Sequence, residues 1–311
     1  MPVIAASEEA IQQAADALLR GEIIAFPTEG VYGLGANALD GSALAKLFAV
    51  KDRPRFNPLI VLVPNLAAAE TYAVVTEQAH NLAAAFWPGP LSLVLKRRQP
   101  CAIAELASAG LDSIALRAPG HAVAQALLAK ANVPIAAPSA NRSGHISPTT
   151  ASQVEAELGE RPAMILDGGP CPLGVESTVI GLDGTRPTLL RAGALPREEL
   201  EDVLGERLQL ETGAPADTGN RYGLRASLRL DATSAQKGEA LLAFGPDGSG
   251  FSGPTVNLST SGDLNEAAAN LFTALRKLDA DGAKAIAVMP IPEQGLGAAI
   301  NDRLRRAAKA S

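Results

Sequence analysis

Ile11, Ala14, Ala15 and Leu18 recur at helical spacing near the start of the chain, with Ser7 placed to cap and Gly21 to stop the helix they predict. Glu8, Glu9 and Asp16 lie inside this amphipathic segment, which lacks the basic start and unbroken apolar centre of a signal peptide. Ile23 to Phe26 then form a short apolar run ending in the polar turn Pro27-Thr28-Glu29-Gly30, the pattern of a strand running into a loop. Further strand-like runs cover Leu59 to Val63, Leu91 to Leu95, Ser113 to Leu116, Val133 to Ala137, Met164 to Leu166 and Ser177 to Ile180. Helical patterns at Ser42 to Val50, Glu77 to Ala85, Ala122 to Lys130 and Ala151 to Leu158 separate several of them. Strands mixed with helices in this way predict an α/β domain with a largely buried sheet, closing near Gly205.

Residues 211–227 lose apolar periodicity and gather Gly, Pro, Thr and Asp, the composition of a linker. A smaller α/β unit follows. Leu241 to Phe244 and Ala285 to Met289 read as strands, and Asp263 with Glu266 makes a capping-box pattern ahead of the stripe Leu264, Ala268, Leu271, Leu275 and Leu278. A last helix from about Gly297 carries Arg303, Arg305, Arg306 and Lys309, which read as a solvated face matched to the helix dipole. The expected division is 1–206 for the first domain, 207–232 for a linker or lid and 233–311 for the second.

Composition narrows the function. With 47% hydrophobic, 19% charged and 4% aromatic residues among 311, the chain is neither disordered, a coiled coil nor collagen-like. A formal charge of -6, from 27 Lys+Arg against 33 Asp+Glu, argues against a surface built to track a nucleic-acid backbone, so any RNA contact is local and weak. Cys101 and Cys171 form no CxxC pair and His80, His121 and His145 are scattered, so no metal site is expected and the thiols read as free in a reducing cytoplasm. No run of about 18 apolar residues suggests a membrane span.

The densest cationic stretch is Lys51-Asp52-Arg53-Pro54-Arg55-Phe56-Asn57-Pro58, where two prolines stiffen a loop bearing arginine forks suited to phosphate oxygens. Ala137-Pro138-Ser139-Ala140-Asn141-Arg142-Ser143-Gly144 follows a strand with small polar side chains, the kind of loop that makes ligand sites in α/β sheets. Gly174-Val175-Glu176-Ser177-Thr178-Val179 is a third candidate, and Arg117 and Arg191 each stand at the end of an apolar stretch. No Walker loop, GxGxxG or nucleophile triad is present. Together these features point to one anion-binding cavity.

Pro27-Thr28-Glu29-Gly30-Val31-Tyr32-Gly33-Leu34-Gly35, Lys51-Asp52-Arg53-Pro54 with Asn57-Pro58-Leu59, Pro138-Ser139-Ala140-Asn141 and Glu176-Ser177-Thr178-Val179 resemble, in this order, the motifs of YrdC-type threonylcarbamoyl-AMP synthases. The tail, with Asn257-Leu258-Ser259 and Gly295 to Arg303, resembles the family's long two-domain form. The resemblance implies a YrdC-like twisted mixed sheet with flanking helices, a smaller Rossmann-like C-terminal domain, and a nucleotidyltransferase. L-threonine and bicarbonate would give a carbamate that attacks the α-phosphorus of ATP, for tRNA threonylcarbamoyladenosine modification by downstream transfer proteins. Mg2+ would accompany the phosphates. On the same grounds Lys51 and Arg53 would be the catalytic cations, and Lys51, Arg53, Asn57, Ser113, Asn141, Thr149, Arg191 and Tyr222 would bind ATP. Arg117, Ser139 and Ser177, with Gly30 and Leu62, would face the amino acid.

Three positions depart from the family pattern. Gly30 stands where a second threonine is usual, Leu62 where a histidine is, and Arg221-Tyr222-Gly223-Leu224 where the lid carries His-Tyr-Ala-Pro. On the resemblance, the first two make the amino-acid side of the pocket roomier and less polar. That implies as one alternative a carbamoyl-adenylate made from a different amino acid; the resemblance of YrdC-type domains to RNA-binding modules implies another, a non-catalytic nucleotide or double-stranded-RNA binder.

Overall fold

The computed structural model describes residues 3–211, 222–246, 251 and 253–308. In chain order the first unit contains β1 (Val3–Ala5), α1 (Glu8–Leu19), β2 (Ile24–Pro27), β3 (Tyr32–Asn37), α2 (Gly41–Val50), β4 (Ile60–Leu62), α3 (Leu66–Ala69), α4 (Glu77–Phe86) and β5 (Leu91–Lys96). It continues with α5 (Glu105–Ser108), β6 (Ser113–Arg117), α6 (Ala122–Ala131), β7 (Ile135–Ala136), α7 (Ala151–Leu158), β8 (Met164–Asp167), β9 (Thr178–Gly181), β10 (Thr188–Arg191), α8 (Arg197–Leu204) and β11 (Gln209–Leu210). The second unit is β12 (Ser227–Arg229), β13 (Ala240–Ala243), β14 (Thr255–Asn257), α9 (Leu264–Ala280), β15 (Ala285–Val288) and α10 (Leu296–Ala308).

Among the described residues the first unit's strands form one mixed sheet in the order β1-β8-β2-β3-β7-β4-β6-β5-β9-β10-β11. Side chains alternate across it with period two. Ile24, Phe26, Leu62, Ile135 and Leu166 pack against α1 and α6, while Ala25, Val61, Ala136, Ile165 and Leu116 face a larger cluster that includes residues of α2, α4 and α7. The predicted helices recur within a residue or two because each has a local signal: Ser7, Asp40, Thr76, Thr150 and Asp263 all accept a backbone N–H at an N-terminus. Glu266 does not close the capping box; its carboxylate takes the Ser259 hydroxyl instead. β3 escapes the pattern because Gly33 and Gly35 replace apolar residues along it.

The second unit is a parallel sheet, ordered β12-β15-β13-β14, as expected of a small α/β domain; α9 and α10 both pack on one face, whereas a Rossmann sheet carries helices on both. The division between units differs from the expected one at both ends of the linker. β11 pairs with β10 at the edge of the large sheet, and β12 pairs with β15 in the small one, so the 207–232 segment gives a strand to each. Residues 212–221, Arg221 among them, lie outside the described residues. Among those described, no helix is long and apolar enough to cross a membrane.

The two units share a core. Val31, Ile146, Val175 and Ala194 of the first pack in one apolar cluster with Leu271, Phe272, Leu275 and Leu304 of the second. At this junction Gly174 has a positive φ of 67°, and a Cβ there would lie 2.4 Å from the Ala268 carbonyl oxygen and from the Ala269 Cα. Gly174→Ala is therefore expected to push α9 away and to destabilise the chain by about 1–3 kcal/mol, read as a lowered midpoint in urea unfolding; an unchanged midpoint would contradict this packing.

Candidate active site

One face of the sheet supplies the floor of a cavity of about 290 Å³. Ile60 on β4, Ala115 on β6 and Val94 on β5 are register neighbours there, and Arg117 projects from the end of β6. Three loops and the start of β9 make the walls, carrying Lys51, Arg53, Asn57, Ser139, Asn141, Ser143, Glu176 and Ser177, with Arg191 from β10 and Arg306 from α10. The structure thus brings together Lys51, Arg53, Asn57, Arg117, Ser139, Asn141, Ser177 and Arg191 out of the residues expected from sequence.

Each cation sits on oxygens of the wall. Lys51, 1% exposed, directs its ammonium to the carbonyls of Ser139 and Asn141, while its own carbonyl accepts from Ser143 N–H at 2.8 Å. This lysine fastens the 139–143 loop. Asn141 donates to the carbonyls of Arg142 (2.9 Å) and His145 (2.7 Å) and accepts from the Ser139 hydroxyl. Arg53 donates to the Pro58 carbonyl at 3.1 Å, across the proline-stiffened loop. Arg191 donates to the Ser177 carbonyl at 2.7 and 3.1 Å and to its hydroxyl at 3.1 Å, and that hydroxyl lies 2.8 Å from Ser92 Oγ.

Two buried carboxylates balance this charge. Glu29 lies 2.7 Å from Arg117, whose Nε also donates to the Gly89 carbonyl at 3.2 Å. Burial would raise the Glu29 carboxyl, but the Arg117 guanidinium holds it below the usual range. Glu176 is treated likewise: burial opposes its charge, but Arg303, then Arg191 and the Ser147 hydroxyl at 2.6 Å, bring its carboxyl to about 2. Arg303, 1% exposed on α10, meets Glu176 Oε2 through Nε and Nη2, each at 3.1 Å, and also donates to the Ala192 carbonyl. The basic run of the last helix is thus not the solvated face expected: Arg303 is buried because it answers a carboxylate 127 residues earlier. Arg305 fits that reading, pairing with Glu293 at the surface.

Five expected residues lie outside the cavity wall. Ser113 shares the Ala115 and Arg117 face of β6 but lies beyond the lining. The Thr149 hydroxyl turns to Gln153 (3.2 Å) and Thr273 (3.3 Å) of α9, at the junction of the units. Tyr222 is buried in the shared core, its ring 5.7 Å from that of Phe272, and does not line this cavity. Leu62 is in register with Arg117 but packed in the apolar cluster with Phe26, Ile135 and Leu127. At Gly30 an added Cβ would lie 2.4 Å from the Val175 carbonyl oxygen. Neither Gly30 nor Leu62 therefore enlarges the pocket; one is set by a close backbone approach and the other by core packing.

Asn57 Oδ1 and Ser143 Oγ are buried at this wall without a hydrogen-bond partner, the condition of groups awaiting a ligand. Ser143 and Arg306 were missed as site residues. The first was visible within the small polar stretch, whereas the second had no local signal. Among the described residues no group of three or more His, Cys, Asp or Glu could hold a metal ion, and burial pushes the Cys171 thiol up to about 12, as for an inert core cysteine.

The Sua5/YciO/YrdC family model, described as telomere recombination, matches residues 16–193, and the model for the threonylcarbamoyl-AMP synthase C-terminal domain matches 196–309. A Pyrococcus abyssi protein named threonylcarbamoyl-AMP synthase is 40% identical over 321 residues, covering 96% of this chain and 93% of that one. A Bacillus subtilis protein of the same name is 36% identical, covering 98% and 94%. The crystal structure of P. abyssi Sua5 complexed with L-threonine superposes with a TM-score of 0.89 at 37% identity, covering 98% of this chain and 95% of that one.

Gly30→Thr is expected to lower stability by about 1–3 kcal/mol and not to improve use of an amino acid, since its side chain would displace the Val175 backbone; a thermal melt with a ligand titration separates the two effects. Because the Glu176 carboxyl is lower folded than unfolded, its contribution is complete above about pH 4.5 and fades as pH falls toward about 2. Glu176→Gln, which leaves buried Arg303 with Asp302 as its remaining counter-charge, should cost up to about 3–5 kcal/mol at neutral pH and flatten that acid limb. An unchanged acid limb in this variant would show that another carboxylate sets it.

Proposed function

The chain belongs to the Sua5/YciO/YrdC family, and we propose on that footing that it is a threonylcarbamoyl-AMP synthase, joining L-threonine, bicarbonate and ATP into threonylcarbamoyl-AMP and pyrophosphate. One observation carries the reading: four motif segments, far apart in sequence, converge on a single cationic cavity in a chain similar to named synthases over nearly its whole length.

The threonine amine first joins bicarbonate, losing water, to form a carbamate. A carbamate oxygen then bonds to the α-phosphorus as the bond to the bridging oxygen breaks, and that electron pair leaves on pyrophosphate. No protein nucleophile takes part, so what the residues supply is position and positive charge. Lys51 fixes the loop that carries Ser139 and Asn141, and Arg53 and Arg191 lie along the path of the phosphates. Arg117 is the fork available to the amino-acid carboxylate, preset by Glu29 and the Gly89 carbonyl. Asn57 Oδ1 and Ser143 Oγ offer acceptors or a hydroxyl to nucleotide donors. Magnesium would enter as the nucleotide's own counterion, held by phosphate oxygens and water, because the carboxylate in this wall, Glu176, is committed to Arg303 and Ser147.

Threonine is favoured over another amino acid because the two departures that suggested a changed pocket do not enlarge it. A purely binding role is less well supported, since the orphaned polar atoms and the cations are gathered inside a concave site rather than spread over a surface. The product would pass to tRNA threonylcarbamoyl-transfer proteins in the cytoplasm.

Purified chain with ATP and bicarbonate should release pyrophosphate with L-threonine and form an adduct of the mass of threonylcarbamoyl-AMP. Release with a different amino acid, or with none, would refute the reading. Arg117→Lys, which keeps the charge facing Glu29 but not the fork, should raise the threonine KM about tenfold or more with the ATP KM little changed, whereas Arg53→Ala should do the reverse.

A further inference from the structure

Arg306 and Arg303 stand one helical turn apart on α10, and Asp302 touches both, at 3.1 Å from Arg306 Nε and 3.1 Å from Arg303 Nη1. Arg303 reaches inward to Glu176, and this sets the rotation of the helix about its axis. Arg306 follows it to the cavity wall, about a fifth exposed, beside Leu190 and Arg191. These same three residues also line a second cavity of about 430 Å³, between β10, α8 and α10, so Arg306 stands where the two spaces meet. Arg305, the adjacent residue, turns away to Glu293.

We propose that Arg306 is a polyphosphate-binding residue of this site, donated by the C-terminal unit and positioned by Arg303, Asp302 and Glu176; the proposal rests on the synthase reading above. The charges support it. Glu176 alone in the wall would repel a phosphate chain, and Arg303 neutralises it from behind. The charged lining of the cavity is Lys51, Arg53, Arg117, Arg191 and Arg306 against one carboxylate, Glu176. Arg117 is matched by Glu29, so the positive surplus of the lining lies along Lys51, Arg53, Arg191 and Arg306 and not at the amino-acid end. A group that gains charge on leaving, as pyrophosphate does, is stabilised most where that surplus is. The C-terminal domain, on this account, completes the site and does not merely cover it.

Calorimetric titration of inorganic pyrophosphate, and separately of AMP, into the full chain tests this with wild type, Arg306→Gln and Arg306→Lys. The expected result is pyrophosphate binding weakened at least tenfold in Arg306→Gln and mostly restored in Arg306→Lys, with AMP affinity equal in all three. Pyrophosphate bound equally well by Arg306→Gln would overturn the proposal, as would an equal loss for AMP, which marks a disturbed pocket. A wild type that binds pyrophosphate but releases none from ATP with threonine would refute the synthase reading instead, and the binding comparison would still decide the role of Arg306.

Discussion

The ion pair between Glu176 and Arg303 governs how the rest of the molecule is arranged. A carboxylate this deeply buried keeps its charge only if an opposite charge comes to it; the Ser147 hydroxyl takes one of its oxygens and Arg303 the other. The partner comes from the last helix of the chain. That requirement fixes where α10 lies and how it is turned, and α9 follows because both helices share one apolar cluster with Val31, Ile146, Val175 and Ala194. The close approach of the backbone at Gly174 to α9 belongs to the same seam. Separating the units would strand a charge and expose a core, so the second domain is held as firmly as an element of the first.

Within the cavity the same principle works at smaller scale. Cations that must meet a polyanion repel one another and tend to drift; here they are held before any ligand arrives. Lys51 rests on two loop carbonyls, Arg191 on Ser177 and Arg117 on Glu29. The ordering cost is met in folding, which is what a reaction relying on position and electrostatics needs. Lys51 in particular serves the loop first: its removal would release Ser139 and Asn141 along with the charge.

Much of this was legible in the chain itself, and what was legible has a common cause. Helix caps such as Asp40 and Thr150, strands such as Leu91–Lys96 and the residues Lys51, Arg53, Asn57, Ser139, Asn141 and Ser177 announce themselves through neighbours a few positions away. Arg303 and Arg306 do not. In a short window they are helix-terminal cations, and nothing local separates them from Arg305, which is one. β3 was hidden for a different reason, since its glycines erase the alternation by which strands are recognised. Tyr222 and Thr149 follow a third pattern: the resemblance names them for the nucleotide, but their side chains pack at the junction of the two units, outside the cavity wall.

Gly30 and Leu62 show how a missing polar group can mislead. Read as substitutions in a pocket, they removed a hydroxyl and an imidazole and so argued for a different substrate. In the folded chain the backbone of Val175 occupies the space a side chain at 30 would need, and Leu62 completes an apolar cluster with Phe26 and Ile135. The segment 174–176 that crowds Gly30 is also the one that carries Glu176 to Arg303 and packs Gly174 against α9. The glycine at 30 and the docking of the second domain are therefore linked by a few residues of backbone. A side chain at 30 would act first on the seam between the units and only through it on the substrate.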